Sequence, residues 1–210
     1  MARPRGFESD RVAEGLLNTF WARGYARTSI PNLTEATGLL PGSLYAAFGN
    51  KEDMFRLAAV RYIERIRQAV TPETGGIDGL QAILDAVVEL TVADPEHRGC
   101  LLLNAIPEST TLSAQTRALL DDGLGEMQRL LRSKLEEASA DVGVTIDLGQ
   151  AAALCFAAAV SIRVLGRAGQ ERLLLQQIAD GATAAVRRAL ASTSTTAKKR
   201  GHHATRQRRT

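Results

Sequence analysis

The sequence contains few of the features that mark secreted or membrane proteins. Only two of its 210 residues are cysteines, Cys100 and Cys155, and they do not form a C-x-x-C motif. Two thiols cannot build a disulfide framework, which favours a reducing compartment. The basic N-terminus is not followed by an apolar segment, and the most apolar stretch, Ala151 to Val160, is shorter than the roughly 20 residues a bilayer requires. We therefore expect a cytoplasmic protein with no signal peptide and no contact with a membrane.

The motifs of common enzymes and metal sites are also missing. Of the three histidines, only His97 lies outside the C-terminal tail. No G-x-S-x-G motif, phosphate-binding glycine loop or zinc pattern is present. The adjacent pair His202 and His203 does not by itself complete a metal site. We expect no enzyme activity, no metal and no cofactor, and a small helical enzyme is the less favoured alternative.

Basic residues concentrate at the two ends of the chain. The net charge of +3 divides into +3 for residues 1–70, −6 for residues 71–197 and +6 for residues 198–210. Phosphate contacts are therefore expected at the ends and not in the acidic middle. Charge alone does not distinguish binding to DNA, binding to RNA and a solvated tail.

Apolar residues recur at helical spacing along nearly the whole chain, and no alternating β-branched run indicates a strand. The sequence therefore predicts an all-α fold. The predicted helices cover approximately residues 9–23, 29–37, 41–48, 50–70, 77–93, 97–107, 113–140, 147–165 and 171–191. A break is expected at Thr71–Gly76, which contains one proline and two glycines. From Ser192 the chain is polar and then basic, which predicts disorder.

The segment from Gly24 to Phe55 predicts a helix-turn-helix. It reads GYARTSIPNLTEATGLLPGSLYAAFGNKEDMF, in which two short helices flank a turn around Gly38. The second helix of such a unit enters the major groove of DNA and needs small or polar residues at its start. Pro41, Gly42 and Ser43 meet that need.

This segment resembles the tetracycline-repressor (TetR) family of bacterial regulators. The resemblance in motif covers about residues 9–57, and the remainder is similar in length and helical character. The matching features, in chain order, are Gly24-Tyr25, Thr28-Ser29-Ile30, Ala36-Thr37-Gly38, Gly42-Ser43-Leu44-Tyr45, Phe48 and Lys51-Glu52.

The resemblance implies a division of the chain into four parts. Residues 1–50 would form an N-terminal arm and a three-helix helix-turn-helix DNA-binding domain, and residues 51–70 a connecting helix. Residues 71–191 would form a helical domain for ligand binding and dimerisation. Residues 192–210 would be the disordered basic tail.

The resemblance also implies which residues contact DNA. Thr28, Tyr45 and Lys51 fall on positions that commonly touch phosphates in the family, and hydroxyls and lysines at helix starts suit that role. Each has a structural alternative: a turn residue, a packed ring or a solvated charge. Base edges would be read by Pro41, Gly42, Ser43 and Ala47.

Two residues depart from the family pattern. Leu40 stands where a serine or threonine often caps the recognition helix. Ala46-Ala47 replace the bulky histidine or tyrosine that frequently follows Tyr45. Both departures affect which bases are read.

The helices at about 147–165 and 171–191 are rich in alanine, and small residues allow helices to approach closely. In the family such helices pair across a two-fold axis, so we expect a homodimer through residues 147–191, with burial inside a monomer as the alternative.

In the family the helices between the break and this pair enclose a ligand, so residues 77–140 would enclose an unknown small-molecule effector. Cys100 is a possible thiol sensor, because some relatives carry a reactive cysteine in a similar Gly-Cys context, or else a small buried hydrophobe.

Together with the motif, the resemblance implies a ligand-responsive transcriptional regulator, and a repressor is favoured over an activator. It would bind a palindromic operator in double-stranded DNA as a homodimer and be released by a small molecule or by thiol modification. The main alternative is an architectural protein that binds DNA non-specifically through the basic tail.

Overall fold

The computed structural model describes the backbone of residues 5–144 and 146–207 and the side chains of residues 10–144 and 146–192. Within these ranges every regular element is helical, which confirms the all-α prediction. The elements are α1 (Arg5–Arg23), α2 (Ile30–Thr37), α3 (Pro41–Phe48), α4 (Lys51–Val70), α5 (Gly76–Val92), α6 (Leu101–Ala105), a 3₁₀ helix (Ile106–Thr111), α7 (Ala114–Asp141), α8 (Leu148–Arg167) and α9 (Arg172–Gln207).

Two elements differ from the sequence expectation. The helix predicted from His97 begins only at Leu101, because His97 and Gly99 have φ values of 49° and 71°, which a helix does not allow. Helix α9 continues to Gln207, beyond the start of the disorder predicted from Ser192. The side chains of the basic tail and residues 1–4 of the predicted arm lie outside the described residues.

The chain forms two compact units. Unit 1 comprises residues 1–69 and 94–125, and unit 2 comprises residues 70–93 and 126–210. The chain first passes from unit 1 to unit 2 between residues 69 and 70. Pro72 and Gly75, where the sequence predicts a break, follow within a few residues. Residues 94–125, which the predicted division places in the second domain, pack in unit 1 together with the first four helices.

The core of unit 1 forms around one face of α1. Leu16 and Phe20 are fully buried there, together with Leu33 of α2, Leu44 of α3 and Phe55 of α4. The Phe20 and Phe55 rings meet edge to face with centroids 5.3 Å apart, a favourable aromatic geometry. This shared core holds α2 and α3 in fixed positions on α1 and α4.

Gly15 sets the distance between α1 and α2. A Cβ atom at this position would lie 2.8 Å from the Ala36 carbonyl oxygen, closer than real Cβ contacts. Only glycine therefore allows α1 to approach the backbone of α2 this closely.

Unit 2 is built from α5, α8, α9 and the later part of α7. Arg163 of α8 is only 7% exposed, and its guanidinium donates a 3.0 Å hydrogen bond to Thr91 Oγ1 of α5. Gly166 of α8 lies against the same threonine, since a Cβ there would overlap the Thr91 methyl group. Both contacts bring α8 close to α5.

Helix α8 is longer than the apolar stretch that the sequence marks. By length and composition alone it is long enough to cross a membrane, which corrects the expectation drawn from Ala151 to Val160. Only 28% of its apolar window is buried within the chain. It nevertheless packs against α5 and α9 and contains the buried Arg163, as a helix of a bundle does.

Candidate nucleic-acid interface

Local signals fix both ends of α2. The Ser29 hydroxyl accepts a hydrogen bond from Asn32 N, and Asn32 Oδ1 accepts one from Ser29 N at 3.0 Å, which forms a capping box. Gly38 ends the helix in the left-handed conformation with φ 74°. The three residues Gly38 to Leu40 then connect α2 to α3, so the pair forms a tight helix-turn-helix.

The start of α3 is bare, as the sequence predicts. Pro41, Gly42 and Ser43 are exposed, whereas Leu44 is fully buried and anchors the helix to the core. A Cβ at Gly42 would meet no atom of the described residues within 4 Å. Further along, Ala47 is also exposed. The backbone at the start of α3 can therefore approach another molecule closely.

Tyr45 and Leu40 present their side chains to solvent. Tyr45 is 48% exposed, so its hydroxyl can reach a phosphate. Leu40 occupies the N-cap position of α3, is 76% exposed and makes no capping hydrogen bond. A serine or threonine there would contribute about 1 kcal/mol through a cap. The Leu40 side chain therefore provides none of this capping energy, and only its backbone carbonyl oxygen bonds to α3, by accepting from Leu44 N at 3.0 Å.

Thr28 is placed differently from the other predicted phosphate contacts. It is 1% exposed, and its hydroxyl donates a 2.6 Å hydrogen bond to the Gly24 carbonyl oxygen. The side chain thus closes the turn between α1 and α2. A contact with DNA by Thr28 stays a prediction, and the observed geometry favours the alternative of a turn residue.

Lys51 opens α4 beside the same turn. Its ammonium lies 4.5 Å from the centroid of the Tyr25 ring and donates a 3.4 Å hydrogen bond to the Ala26 carbonyl oxygen. Partial burial lowers the pKa of Lys51, and the carboxylate of Glu108 acts in the opposite direction. Because an ammonium has three N–H donors, these contacts leave donors for a phosphate.

A segment distant in sequence holds α1 and the turn, and sequence reasoning missed it. Glu108 Oε2 accepts a 3.0 Å hydrogen bond from Ala26 N. The Trp21 indole N–H donates to the Gly99 carbonyl oxygen at 3.0 Å, and the Arg98 guanidinium carbon lies 4.0 Å from the centroid of the Trp21 ring. No local pattern links residues so far apart along the chain.

Arg98 also belongs to a polar cluster. It donates a 2.9 Å hydrogen bond to Asn18 Oδ1 and pairs with Asp94, whose side chain is 5% exposed. Burial opposes ionisation of Asp94, but the hydrogen bonds and charge of Arg98 hold its pKa below the usual value. The loop from Asp94 to Cys100 is thereby tied to α1.

The two cysteines have different surroundings. Cys100 is half-buried at the N-cap of α6 and packs against the unit 1 core. Cys155 is fully buried in α8, and burial raises the pKa of its thiol to about 11. Among the described residues, no group of three or more histidine, cysteine or acidic side chains is arranged to hold a metal ion.

The geometry agrees with comparisons to known proteins. Residues 14–58 match the family described as bacterial regulatory proteins, tetR family, and residues 76–182 match the tetracyclin repressor-like C-terminal domain. The protein belongs to the TetR family. The first match contains the whole helix-turn-helix, and the second covers α5, α6, α7, α8 and the first part of α9.

Two curated transcriptional regulators match this chain over part of their length. The HTH-type transcriptional repressor ComR of Escherichia coli (strain K12) is 34% identical over 116 residues, 53% of this chain and 54% of ComR. The uncharacterised regulator YezE of Bacillus subtilis (strain 168) is 30% identical over 112 residues, 51% of this chain and 58% of YezE. The chain thus spans a little over half the length of the curated relatives it matches.

A solved structure of a TetR-family regulator matches nearly the whole chain. A cysteine mutant of CifR, complexed with 26 bp of double-strand operator DNA, is 30% identical with a TM-score of 0.74. The match covers 88% of this chain and 99% of CifR. A TetR regulator from Chloroflexus aurantiacus, 23% identical with a TM-score of 0.70 over 86% of this chain and 92% of its own, shares the fold.

Proposed function

We propose that this TetR-family protein is a transcriptional repressor that binds a palindromic operator as a homodimer. The exposed, small-residue start of α3, in a helix-turn-helix whose first helix is capped at both ends, carries the proposal. Such a helix fits the major groove. Tyr45 on α3 offers a hydroxyl and Lys51 at the start of α4 a positive charge, and both groups are suited to phosphates. The operator complex of CifR, which shares this fold along nearly its whole length, supports the assignment.

A two-fold dimer through α8 and α9 would cover apolar residues that these two helices expose. Leu154 and Val164 on α8 are 45% and 52% exposed, and Leu173 on α9 is 66% exposed. At Gly181 of α9 a Cβ would meet no atom of the described residues within 4 Å, so the glycine leaves room for another helix. A four-helix bundle between two copies would bury these positions.

Release from the operator completes the proposal. A small molecule, or modification of Cys100, would favour a dimer shape whose recognition helices no longer match two half-sites. Cys100 is suited to this because it packs in unit 1 at the end of the loop bonded to α1. We place the protein in the cytoplasm, where the DNA is, and assign it no catalytic activity.

Contacts with phosphates should contribute the same free energy of binding on every DNA sequence, because the backbone is the same throughout. We expect Tyr45→Phe and Lys51→Ala each to weaken operator binding by about tenfold, because each removes a polar contact from both subunits. Lys51→Ala should also reduce the slope of log affinity against log salt by about one for each phosphate lost. Gel-shift titrations on an operator selected from random fragments measure both effects.

Three results bear on the assignment. Arg132→Ala is the matched control, because Arg132 is exposed and pairs only locally with Glu136 in unit 2. Ser43→Ala should change the preferred sequence more than the affinity for unrelated DNA. If Tyr45→Phe and Lys51→Ala bind as tightly as wild type, the assigned roles are wrong. If the wild type coats every fragment without a discrete footprint, the protein acts as an architectural DNA binder through its basic tail.

The thiols should differ in reactivity. With a pKa of about 11, Cys155 is ionised in only about one molecule in a thousand at pH 8, and the thiolate is the reactive form. We expect iodoacetamide to label Cys100 at least about tenfold faster than Cys155 at pH 8, with Cys155 labelling rising as the pH approaches 11. Mass spectrometry of timed digests measures both rates.

The same reagent tests the sensor role. Labelled wild type should lose operator affinity, whereas Cys100→Ser should keep it after identical treatment. Cys155→Ala, which retains Cys100 and buries no polar group, is the control and should behave as wild type. A labelled Cys100 that still permits full operator binding would eliminate the thiol route and leave the small molecule.

A further inference from the structure

The exposed side chains of α3 and of the turn before it have almost no hydrogen-bonding groups. From Leu39 to Gly49 the sequence contains no arginine, lysine, asparagine, glutamine, histidine or acidic residue. Only Ser43 and Tyr45 carry a polar side-chain atom there. Bidentate bonds from arginine to guanine, or from asparagine to adenine, therefore cannot originate in this segment.

Leu40, Ser43 and Ala47 form one exposed stripe. Residues spaced by three and seven positions fall on the same side of a helix, and all three are exposed while Leu44 faces the core. Leu40 is the largest apolar member at 76% exposed, and it replaces a polar cap that would hold α3 better. A leucine side chain this exposed is available for a contact outside the chain.

The chemistry of the major groove offers one apolar group, the C5-methyl of thymine. Resting on the proposed operator binding, we propose that Leu40 and Ala47 are specificity-determining residues that read thymine methyl groups by van der Waals contact. Ser43, between them, supplies a single hydrogen bond to a base edge or phosphate. The bare backbone at Gly42 allows α3 to approach deeply enough for these short-range contacts.

Replacing thymine by deoxyuridine tests the proposal, because it removes the methyl group and keeps every hydrogen-bonding atom. The operator is selected from random fragments with the full-length protein, and each thymine is then replaced in turn. Burial of one methyl group corresponds to about fourfold in affinity. We expect a loss of about fourfold at one or more thymines of each half-site for the wild type.

The variants assign each methyl group to a residue. Leu40→Ala should bind the thymine operator more weakly and should no longer distinguish thymine from uracil at one of the sensitive positions. Ala47→Gly should lose the distinction at another position. Val142→Ala, which shortens an equally simple apolar side chain that is 51% exposed in unit 2, should retain every sensitivity. Thermal melting followed by circular dichroism confirms that each variant is folded.

Two results would contradict the reading of thymine methyl groups while leaving the proposed operator binding intact. One is an operator on which no uracil replacement weakens the wild type. The other is a Leu40→Ala variant that binds DNA as tightly as wild type and keeps every thymine preference, in which case the stripe contacts another partner. If selection returns no discrete operator, the proposed function fails first and the reading of thymine fails with it.

Discussion

Replacing Val164 by glutamate is expected to convert the proposed dimer into monomers and to weaken operator binding by more than about a hundredfold. Val164 is 52% exposed within one chain, so a single subunit accommodates the carboxylate without loss of fold. In a bundle between two copies the same carboxylates would be buried without a partner, which is strongly unfavourable. Sedimentation equilibrium measures the association, and gel-shift titration measures the affinity.

The size of the effect follows from the geometry of a two-fold operator. When one helix-turn-helix is bound, the other is held beside its half-site at a high effective concentration, and a monomer loses that advantage. Val142→Glu is the control, since Val142 is 51% exposed in the turn after α7 and lies outside α8 and α9. A Val164→Glu protein that still sediments as a dimer would place the interface elsewhere.

Removing the Arg98 side chain should destabilise unit 1 by about 3 kcal/mol, the cost of leaving a buried charge without its partner. The Asp94 carboxylate is 5% exposed and Arg98 is 16% exposed, so water replaces the lost bonds only poorly. The variant also loses the cation contact with the Trp21 ring. Urea unfolding of Arg98→Ala, followed by circular dichroism, gives the change in free energy of unfolding.

A second substitution separates the cost of the unpaired Asp94 carboxylate from the cost of the lost Arg98 packing. Asp94→Asn in the Arg98→Ala background removes the uncompensated carboxylate and should recover part of the lost stability. Arg132→Ala, which breaks an exposed pair with Glu136, should change the free energy of unfolding by no more than about 0.5 kcal/mol. Equal losses in the single and double variants would show that the carboxylate is not the source of the effect.

The pH dependence of the Arg98 variant has a defined sign. In the wild type the pKa of Asp94 is lowered, so its contribution is present above the unfolded pKa and is lost as the pH falls through the folded value. In Arg98→Ala the burial of Asp94 is no longer opposed by the guanidinium, so it disfavours the charged carboxylate. The difference in stability between the two proteins should therefore narrow as the solution is acidified.

The features of the candidate interface that the sequence predicts are local ones. Ser29, Gly38 and the proline at position 41 specify where α2 and α3 begin and end through bonds that span at most four residues. Helical periodicity likewise places the long helices to within a few residues. Such signals are present in the sequence because the groups that satisfy each other are neighbours along the chain.

Contacts between distant residues carry no such signal. The hydrogen bonds from Trp21 to Gly99 and from Ala26 to Glu108 join residues that are about eighty positions apart. For this reason residues 94–125 pack in unit 1, which the break at Pro72 does not indicate. Thr28 illustrates the same difficulty on a small scale. A threonine in the sequence does not reveal whether its hydroxyl is buried in a turn or is free to bind a phosphate.

Trp21 is the single tryptophan of the chain, and it lies beneath Arg98 with its indole N–H bonded to Gly99. The indole emission of the unlabelled protein therefore comes entirely from the place where the Asp94–Cys100 loop meets α1. Any compound that separates the two should shift the colour and intensity of that light. The molecule thus contains its own optical probe for screening candidate effectors, with no dye attached.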